Sequence, residues 1–419
     1  MKIPYSKVAV LSAFLIALAF ASCSDEEKES KHDDWEEIEH TASRVNASGI
    51  SLFKQLTVGN KANIVMSPVS IASSLSAVAV GANGNSYNEL TATIKAELLT
   101  RTELMKLDHR LCDRMRGVSD KVSLQLASSI WTESGIDLRP DFIKTTSENG
   151  EYDLMKYEML SGTTLDRLNR WYSEKAHDTT TGFDVLPFDN DSRFNVVSIA
   201  SYSGKWFGKG FDKTLTAPAD FMNADGSVSR IPFMTDPDRS FQAAHDDSDV
   251  TLFSMIYAEG GFRILFIAAD KEDPESLERY ISTLDWGHIM WDIPDWEDYK
   301  GEISIPKLDL ACEIRLDDAL KAIGTKSIFT QQADFSNLTN ESLWLDGVFH
   351  KSRFATFEDG YQQPQQNAAQ SDKDPVLGGA GAFPGTEKAM DLALDRPFAF
   401  FVYEIYTDAL IMAGRVANL

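Results

Sequence analysis

The chain has 419 residues, with 40 Lys+Arg against 64 Asp+Glu for a formal charge of −24, 43% hydrophobic and 11% aromatic residues, and three cysteines. That apolar fraction fills a large core and excludes collagen-like or wholly disordered chains. So acidic a balance repels phosphate backbones and excludes nucleic-acid binding through a basic surface, while so few cysteines, without CxxC or Cys/His spacing, exclude a disulfide framework and a cysteine-based zinc framework.

Lys2 and Lys7 precede an apolar run from Val8 to Phe20, followed by Ala21, Ser22 and Cys23. The run is too short to cross about 30 Å of hydrocarbon as a helix and fits the apolar region of a signal peptide over 1–22. The small pair before Cys23 resembles a bacterial lipobox. Lipidation there would make Cys23 the mature N-terminus and anchor the exported chain in the outer membrane or on the cell surface; an ordinary signal peptide would release it to the periplasm or the outside. Residues 23–42 then read as an acidic tether, because SDEEKESKHDDWEEIEH at 24–40 carries nine acids against two lysines and buries too little to offset chain entropy.

Ser67-Pro68 opens a segment rich in Ala, Ser, Leu and Val, and the run from Ile71 to Val80 predicts a buried helix ending at Gly81. Lys106, Arg110 and Arg114 share a helical face with Glu103, Asp108 and Asp113 interleaved, the pattern of an ordinary exposed face. Leu165, Leu168, Trp171 and Tyr172 have helical spacing after Ser161 and Thr163 as candidate caps. His245-Asp246-Asp247 sits in a polar stretch and reads as a solvated loop rather than a metal site. Arg263–Ala269 and Phe398–Ile405 are apolar on both faces, as in strands covered on both sides, and Thr407-Asp408 predicts a hairpin that ends the chain as a paired strand. Cys112 and Cys312 lie in apolar surroundings and read as buried thiols. Helices early and strands late make the class α+β. GxSxG, HExxH, P-loop and GxGxxG patterns are absent, and GGAG at Gly378–Gly381 lacks the strand-to-helix context of a phosphate loop, so neither an enzyme, a cofactor nor a metal is expected.

One stretch breaks the pattern. Gly360 to Glu387, GYQQPQQNAAQSDKDPVLGGAGAFPGTE, has few large apolar residues and many breakers, and a loop this long between strong strands is where function concentrates.

NIVMSPVSIASSLSAVAVGANGNSYNEL at 63–90, LASSIWTESGIDLRPDF before Tyr152, LNRWYSEKAHDTTTGF at 168–183, SYSGKWFGKGF around Trp206, PKLDLACEIRLDDALKAIGTKSIF at 306–329, VFHKSRFATFEDG at 348–360 and DRPFAFFVYEI with a final AGRV together resemble, in order, the blocks of the serpins, the serine protease inhibitor superfamily. The resemblance spans about 45–419 and implies one domain over 43–419 with three β-sheets, eight or nine helices and an exposed reactive-centre loop at about 358–394. In inhibitory members a serine or cysteine protease cleaves this loop and becomes acylated. The loop then inserts into the central sheet of a metastable monomer. Ser67, Ser70 and His350 match the hydrogen-bonding cluster beneath that sheet, Ser198 stands where the family usually has asparagine, and Trp206 matches the tryptophan where insertion begins. Buried serines, a buried histidine and a core tryptophan would also occupy these places for structural reasons alone.

Glu358-Asp359-Gly360 aligns with the family hinge, which normally continues with Thr or Ser and small alanines; here it continues Tyr361, Gln362, Gln363, Pro364, Gln365, Gln366, Asn367. The family register buries Tyr361, Gln363, Gln365 and Asn367 on insertion. Each unpaired buried amide costs about 1–3 kcal/mol, Pro364 removes a ladder bond, and Tyr361 overfills a place built for a small hydroxyl. Counting from the hinge puts the scissile bond at Asp374-Pro375 and counting back from Pro397 puts it near Thr386-Glu387, with Lys373, Leu377 and Phe383 as further specificity residues. Two readings stand: an envelope-anchored inhibitor acting as a suicide substrate, and a non-inhibitory binding or decoy module whose hinge disfavours insertion.

Overall fold

A computed structural model describes residues 25–118, 122–158, 162–177, 181–189, 191–246, 250–258, 261–271, 273, 275–293, 296–360 and 388–419. The chain divides into two compact units, Met1–Glu37 and Ile38–Leu419. In the first, the described backbone is helical from Asp25, the start of α1 (Asp25–Thr57). The acidic stretch read as a tether is helical from Asp25: neither Pro nor Gly interrupts it before Gly49, and Glu and Lys are good helix formers.

The remaining helices among the described residues are α2 (Pro68–Gly81), α3 (Gly84–Thr93), α4 (Arg101–Gly117), α5 (Pro140–Asn149), α6 (Thr163–Ala176), α7 (Ser276–Thr283) and α8 (Asp317–Ala322), with a π-helical turn at His288–Asp292. The strands are β1 (Ile64–Met66), β2 (Val122–Glu133), β3 (Tyr152–Tyr157), β4 (Phe194–Gly204), β5 (Ala217–Met222), β6 (Val228–Asp246), β7 (Val250–Ala258), β8 (Phe262–Ala269), β9 (Glu297–Pro306), β10 (Asp309–Arg315), β11 (Gly347–Ala355), β12 (Lys388–Ala389), β13 (Leu392–Ala393), β14 (Phe398–Glu404) and β15 (Leu410–Val416). The class is α+β, and the apolar strands and the final hairpin β14–β15 fall where the sequence puts them.

The strands join into a five-stranded sheet, β10-β11-β4-β2-β3, and a ten-stranded network. Two hydrogen-bonded networks rather than three sheets result because β6 belongs to two leaves. Its first half pairs with β5 and β9, and its second half with β9 and β7. Pro237 has no N–H to give, the register with β9 slips between Asp236 and Arg239, and the strand bends there from one leaf into the other.

The five-stranded sheet is covered on both faces, which is why β4 and β11 are buried almost throughout. Beneath it lies α2, buried on nearly every side, capped by Ser67 with Pro68 in its first turn. Above it, Leu168, Trp171 and Tyr172 of α6 join Phe183, Phe188, Trp131, Val197 and Phe349 in one cluster. Helix α6 has no side-chain cap: Gly162 holds the capping position, Thr163 is already helical, and Ser161 lies outside the described residues. His245 and Asp246, predicted as loop, end strand β6 opposite Thr251 and Val250, because β7 is there to pair with them. Asp108, predicted as a surface charge, is buried and bonded to Arg44 and Ser76, a partnership with other helices that a single helix pattern does not reveal. Cys112 and Cys312 are free thiols, and burial pushes the Cys112 thiol up to about 11.

Candidate functional site: the central seam and the start of the loop

Strands β4 and β11 are neighbours in the middle of the five-stranded sheet and run parallel, in register from Gly347 opposite Asn195 to Phe354 opposite Tyr202. Strand alternation then assigns the side chains. Val197, Ile199 and Phe349 point up under α6. His350, Ser352 and Phe354, opposite Ser198, Ala200 and Tyr202, form the lower wall of the seam.

His350 is fully buried, and its Nε2 accepts the backbone N–H of Ser67 at 3.0 Å. An N–H can only donate, so Nε2 carries a lone pair and the ring is neutral with its proton on Nδ1. Nδ1 then donates to Ser198 Oγ at 2.9 Å, and that hydroxyl donates onward to Phe349 O at 3.4 Å. Burial pushes the imidazole down to about 3. Ser67 thus serves the seam through its backbone, while its Oγ caps α2 by accepting from Ser70 N at 3.3 Å. Ser70 Oγ donates to Ile199 O at 2.9 Å. Ser67 and Ser70 therefore tie the start of α2 to both strands of the seam, one to each. Ser352, which the sequence reading did not single out, adds a bond from its Oγ to Val65 O at 2.6 Å. Period-two spacing from His350 was the signal for it.

At the upper end of the seam Trp206 follows β4. Its Nε1 donates to Phe357 O at 2.8 Å, and its ring packs against Tyr257 and Phe211 with centroids 4.4 Å and 5.1 Å away. The chain leaving β11 is fastened here. Glu358 Oε2 accepts from Lys307 Nζ at 2.9 Å and Oε1 from Thr216 Oγ1 at 3.0 Å, while its carbonyl accepts from Phe211 N at 2.8 Å. Burial opposes ionisation of Glu358, but these hydrogen bonds and the Lys307 ammonium outweigh it and hold the carboxyl below the usual glutamate range. Asp359 pairs with Lys213 at 2.6 Å on the surface, a contact worth little. Gly360 sits at φ +74, with Lys205 Cα 2.5 Å and Trp206 N 2.6 Å from where a Cβ would stand, so only glycine fits. Its carbonyl accepts from Ser203 Oγ at 3.3 Å, which places the start of the loop directly over the end of β4. Lys307 and Thr216 carry no sequence signal for this role; they come from elements far along the chain.

The structure thus brings together Ser67, Ser70, Ser198 and His350 under the seam, and Trp206, Glu358, Asp359 and Gly360 above it. Tyr361, Gln362, Gln363 and Pro364 of the hinge, the scissile candidates Lys373, Asp374, Pro375, Leu377, Phe383 and Thr386, and Cys23 with the signal segment lie outside the described residues.

A family model described as Serpin (serine protease inhibitor) matches residues 43–419. The chain is 25% identical over 392 residues to Probable serpin E3 of Danio rerio, covering 88% of this chain and 90% of that one. It is 22% identical over 415 residues to Iripin-8 of Ixodes ricinus, covering 98% and 100%. Among solved structures, native protease nexin-1 with heparin matches at TM-score 0.76 and 19% identity, covering 91% of this chain and 100% of that one. The thermophilic serpin Tengpin in its native state matches at 0.74 and 21%, covering 96% of each. A model match over 43–419 of 419 residues, on a sheet of this topology, means that the chain belongs to the serpin family, a family of serine protease inhibitors by description and not of enzymes.

Proposed function

We propose that the chain inhibits serine or cysteine proteases as a suicide substrate, by loop cleavage and insertion between β4 and β11, and that it does so as a monomer anchored to the cell envelope through a lipidated Cys23. The observation that carries the inhibitory reading is the parallel β4–β11 seam with Gly360 at its upper end. A strand that leaves the top of β11 and turns back runs antiparallel to both neighbours. It would replace one parallel ladder of eight residue pairs by two antiparallel ones. About eight further backbone bonds at roughly 1 kcal/mol each contribute about 8 kcal/mol toward insertion, against the entropy of ordering the inserted residues.

The residues at 361–367 support a second reading, a non-inhibitory binding or decoy module. Unpaired amides at Gln363, Gln365 and Asn367 at about 1–3 kcal/mol apiece, with the bond Pro364 cannot make, are of the same size as that gain. Slow insertion leaves a serpin hydrolysed rather than attached.

Incubation with a panel of serine and cysteine proteases distinguishes the two. A complex surviving denaturing gels, with a large rise in Tm after loop cleavage, supports inhibition; clean cleavage with neither supports the decoy. For the anchor, labelling with a radioactive fatty acid should be lost on Cys23→Ser, and label that persists in the variant overturns it. Among the described residues no helix is long and apolar enough to cross a membrane.

A further inference from the structure

Away from the seam, three ligand-type side chains converge beside α4. His109 and Asp113 stand one turn apart on that helix with Nε2 3.3 Å from Oδ2, and Glu151, just before β3, joins them so that one ligand atom of each lies within 4.8 Å of the others. Arg116 prepares the arrangement. Its Nη2 is fixed on Leu126 O at 2.7 Å, while Nη1 donates to Asp113 Oδ1 at 2.8 Å and to Glu151 Oε2 at 3.1 Å. One oxygen of each carboxylate is thereby held, which turns the second of Asp113 toward His109 Nε2 and leaves the second of Glu151 for another partner. An outer group that orients ligating carboxylates in this way is what a metal site uses. Behind the trio a cavity of about 20 Å³, lined by Ser73, Cys112, Ser128 and Tyr152 together with His109 and Glu151, has room for one water and polar groups to hold it.

We propose that His109, Asp113 and Glu151 bind a divalent transition-metal ion of the zinc class, with water from this cavity completing four-fold coordination. An imidazole with two carboxylates and a water suits zinc and its neighbours, whereas magnesium and calcium take oxygen ligands. The ion joins α4 to the residue that leads into β3, so it braces the outer strands of the five-stranded sheet on the helix beneath them. The site does not depend on whether the loop inserts. The molecule also carries a comparison: His288 and Asp292 repeat the same one-turn spacing, Nδ1 to Oδ2 3.6 Å, but no third ligand-type group converges on them among the described residues.

The test uses the full chain stripped of metal with a chelator, titrated with zinc chloride by calorimetry and followed by melting curves. His109→Ala, Glu151→Gln and His288→Ala are compared with the parent. All three positions are at least partly exposed, so the variants should fold, and circular dichroism checks that they do. The expected result is a zinc-dependent rise in Tm and a binding component at least about tenfold weaker in His109→Ala and in Glu151→Gln, intact in His288→Ala and unaffected by excess magnesium. Zinc held by the acid-rich N-terminal helix alone would leave all four proteins indistinguishable, and that outcome, or no binding at micromolar zinc, overturns the proposal.

Discussion

Acid should loosen the seam through His350, and the size of the effect follows from its burial. The imidazole is held down at about 3 against 6.5 in the unfolded chain. Between those values the unfolded chain binds a proton that the native one refuses. The stability contributed by this group is therefore complete above about pH 6.5 and falls as pH drops toward the native value, at about 1.4 kcal/mol per unit. Many carboxylates titrate in the same range in so acidic a chain, so the measurement must be a difference. His350→Gln removes the titrating group and leaves an oxygen to accept from Ser67 N–H, at a cost of about 1–3 kcal/mol for the disturbed bond to Ser198. Urea midpoints read by tryptophan fluorescence at about pH 5.5 and about pH 4.5 should show the stability of the parent relative to the variant falling by about 1.4 kcal/mol, to equality or below it at the lower pH. Curves that stay parallel across this interval would refute a buried, neutral His350.

Two further substitutions probe the start of the loop. Glu358→Gln weakens the bond to Lys307 and should lower the urea midpoint by an amount equivalent to about 1.5–3 kcal/mol. In the parent that stability is present above the ordinary glutamate value near 4.5 and is lost as pH falls through the lower native one, so parent and variant should converge in acid. Gly360→Ala forces a side chain into contact with Lys205, Gly204 and Trp206 at a positive φ. It should cost about 2–4 kcal/mol by the same assay, and a neutral result would mean that the chain does not rest on the end of β4.

Much of the fold is legible in the residues because local composition decides it. Helix α2 carries only small and apolar side chains and β14 is almost wholly apolar on both faces, so burial follows whatever lies around them. What is not legible depends on partners distant in sequence. Asp108 sits among alternating charges that suggest solvent, and only the arrival of Arg44 from α1 makes its burial tolerable. His350 is recognisable as a seam residue from the family pattern, but Ser67 acts through a backbone N–H, and no side-chain pattern records that. Likewise the merging of two leaves through β6 turns on the break at Pro237, whose position beside β9 is a long-range fact. The His109–Asp113 spacing is visible in the sequence; that Glu151 closes on it is not.

The lower wall of the seam also decides which loop residues oppose insertion. From the top downward it presents Tyr202 with Phe354, Ala200 with Ser352, and Ser198 with His350. A strand descending from Gly360 enters at the aromatic pair and then passes the hydroxyls and the imidazole, with Tyr361, Gln363, Gln365 and Asn367 facing this wall by the family register. Tyr361 arrives where Phe354 is already stacked on Phe400 at 4.2 Å, and overfilling such a place costs about 1–3 kcal/mol. Pro364 forfeits a ladder bond of about 1 kcal/mol. The amides are different. Ser352 and Ser198 keep acceptor lone pairs, beside hydroxyl protons already given to Val65 O and Phe349 O, that an alanine hinge would leave unused, so the penalty for burying the amide NH2 groups is smaller than composition alone suggests. It follows that Tyr361→Thr with Pro364→Ala should raise the Tm of the loop-cleaved protein, whereas Gln363→Ala with Gln365→Ala should leave it unchanged or lower it. A rise from the glutamine pair and none from the tyrosine–proline pair would show that the buried amides find no partners, and that this wall is not where the hinge lands.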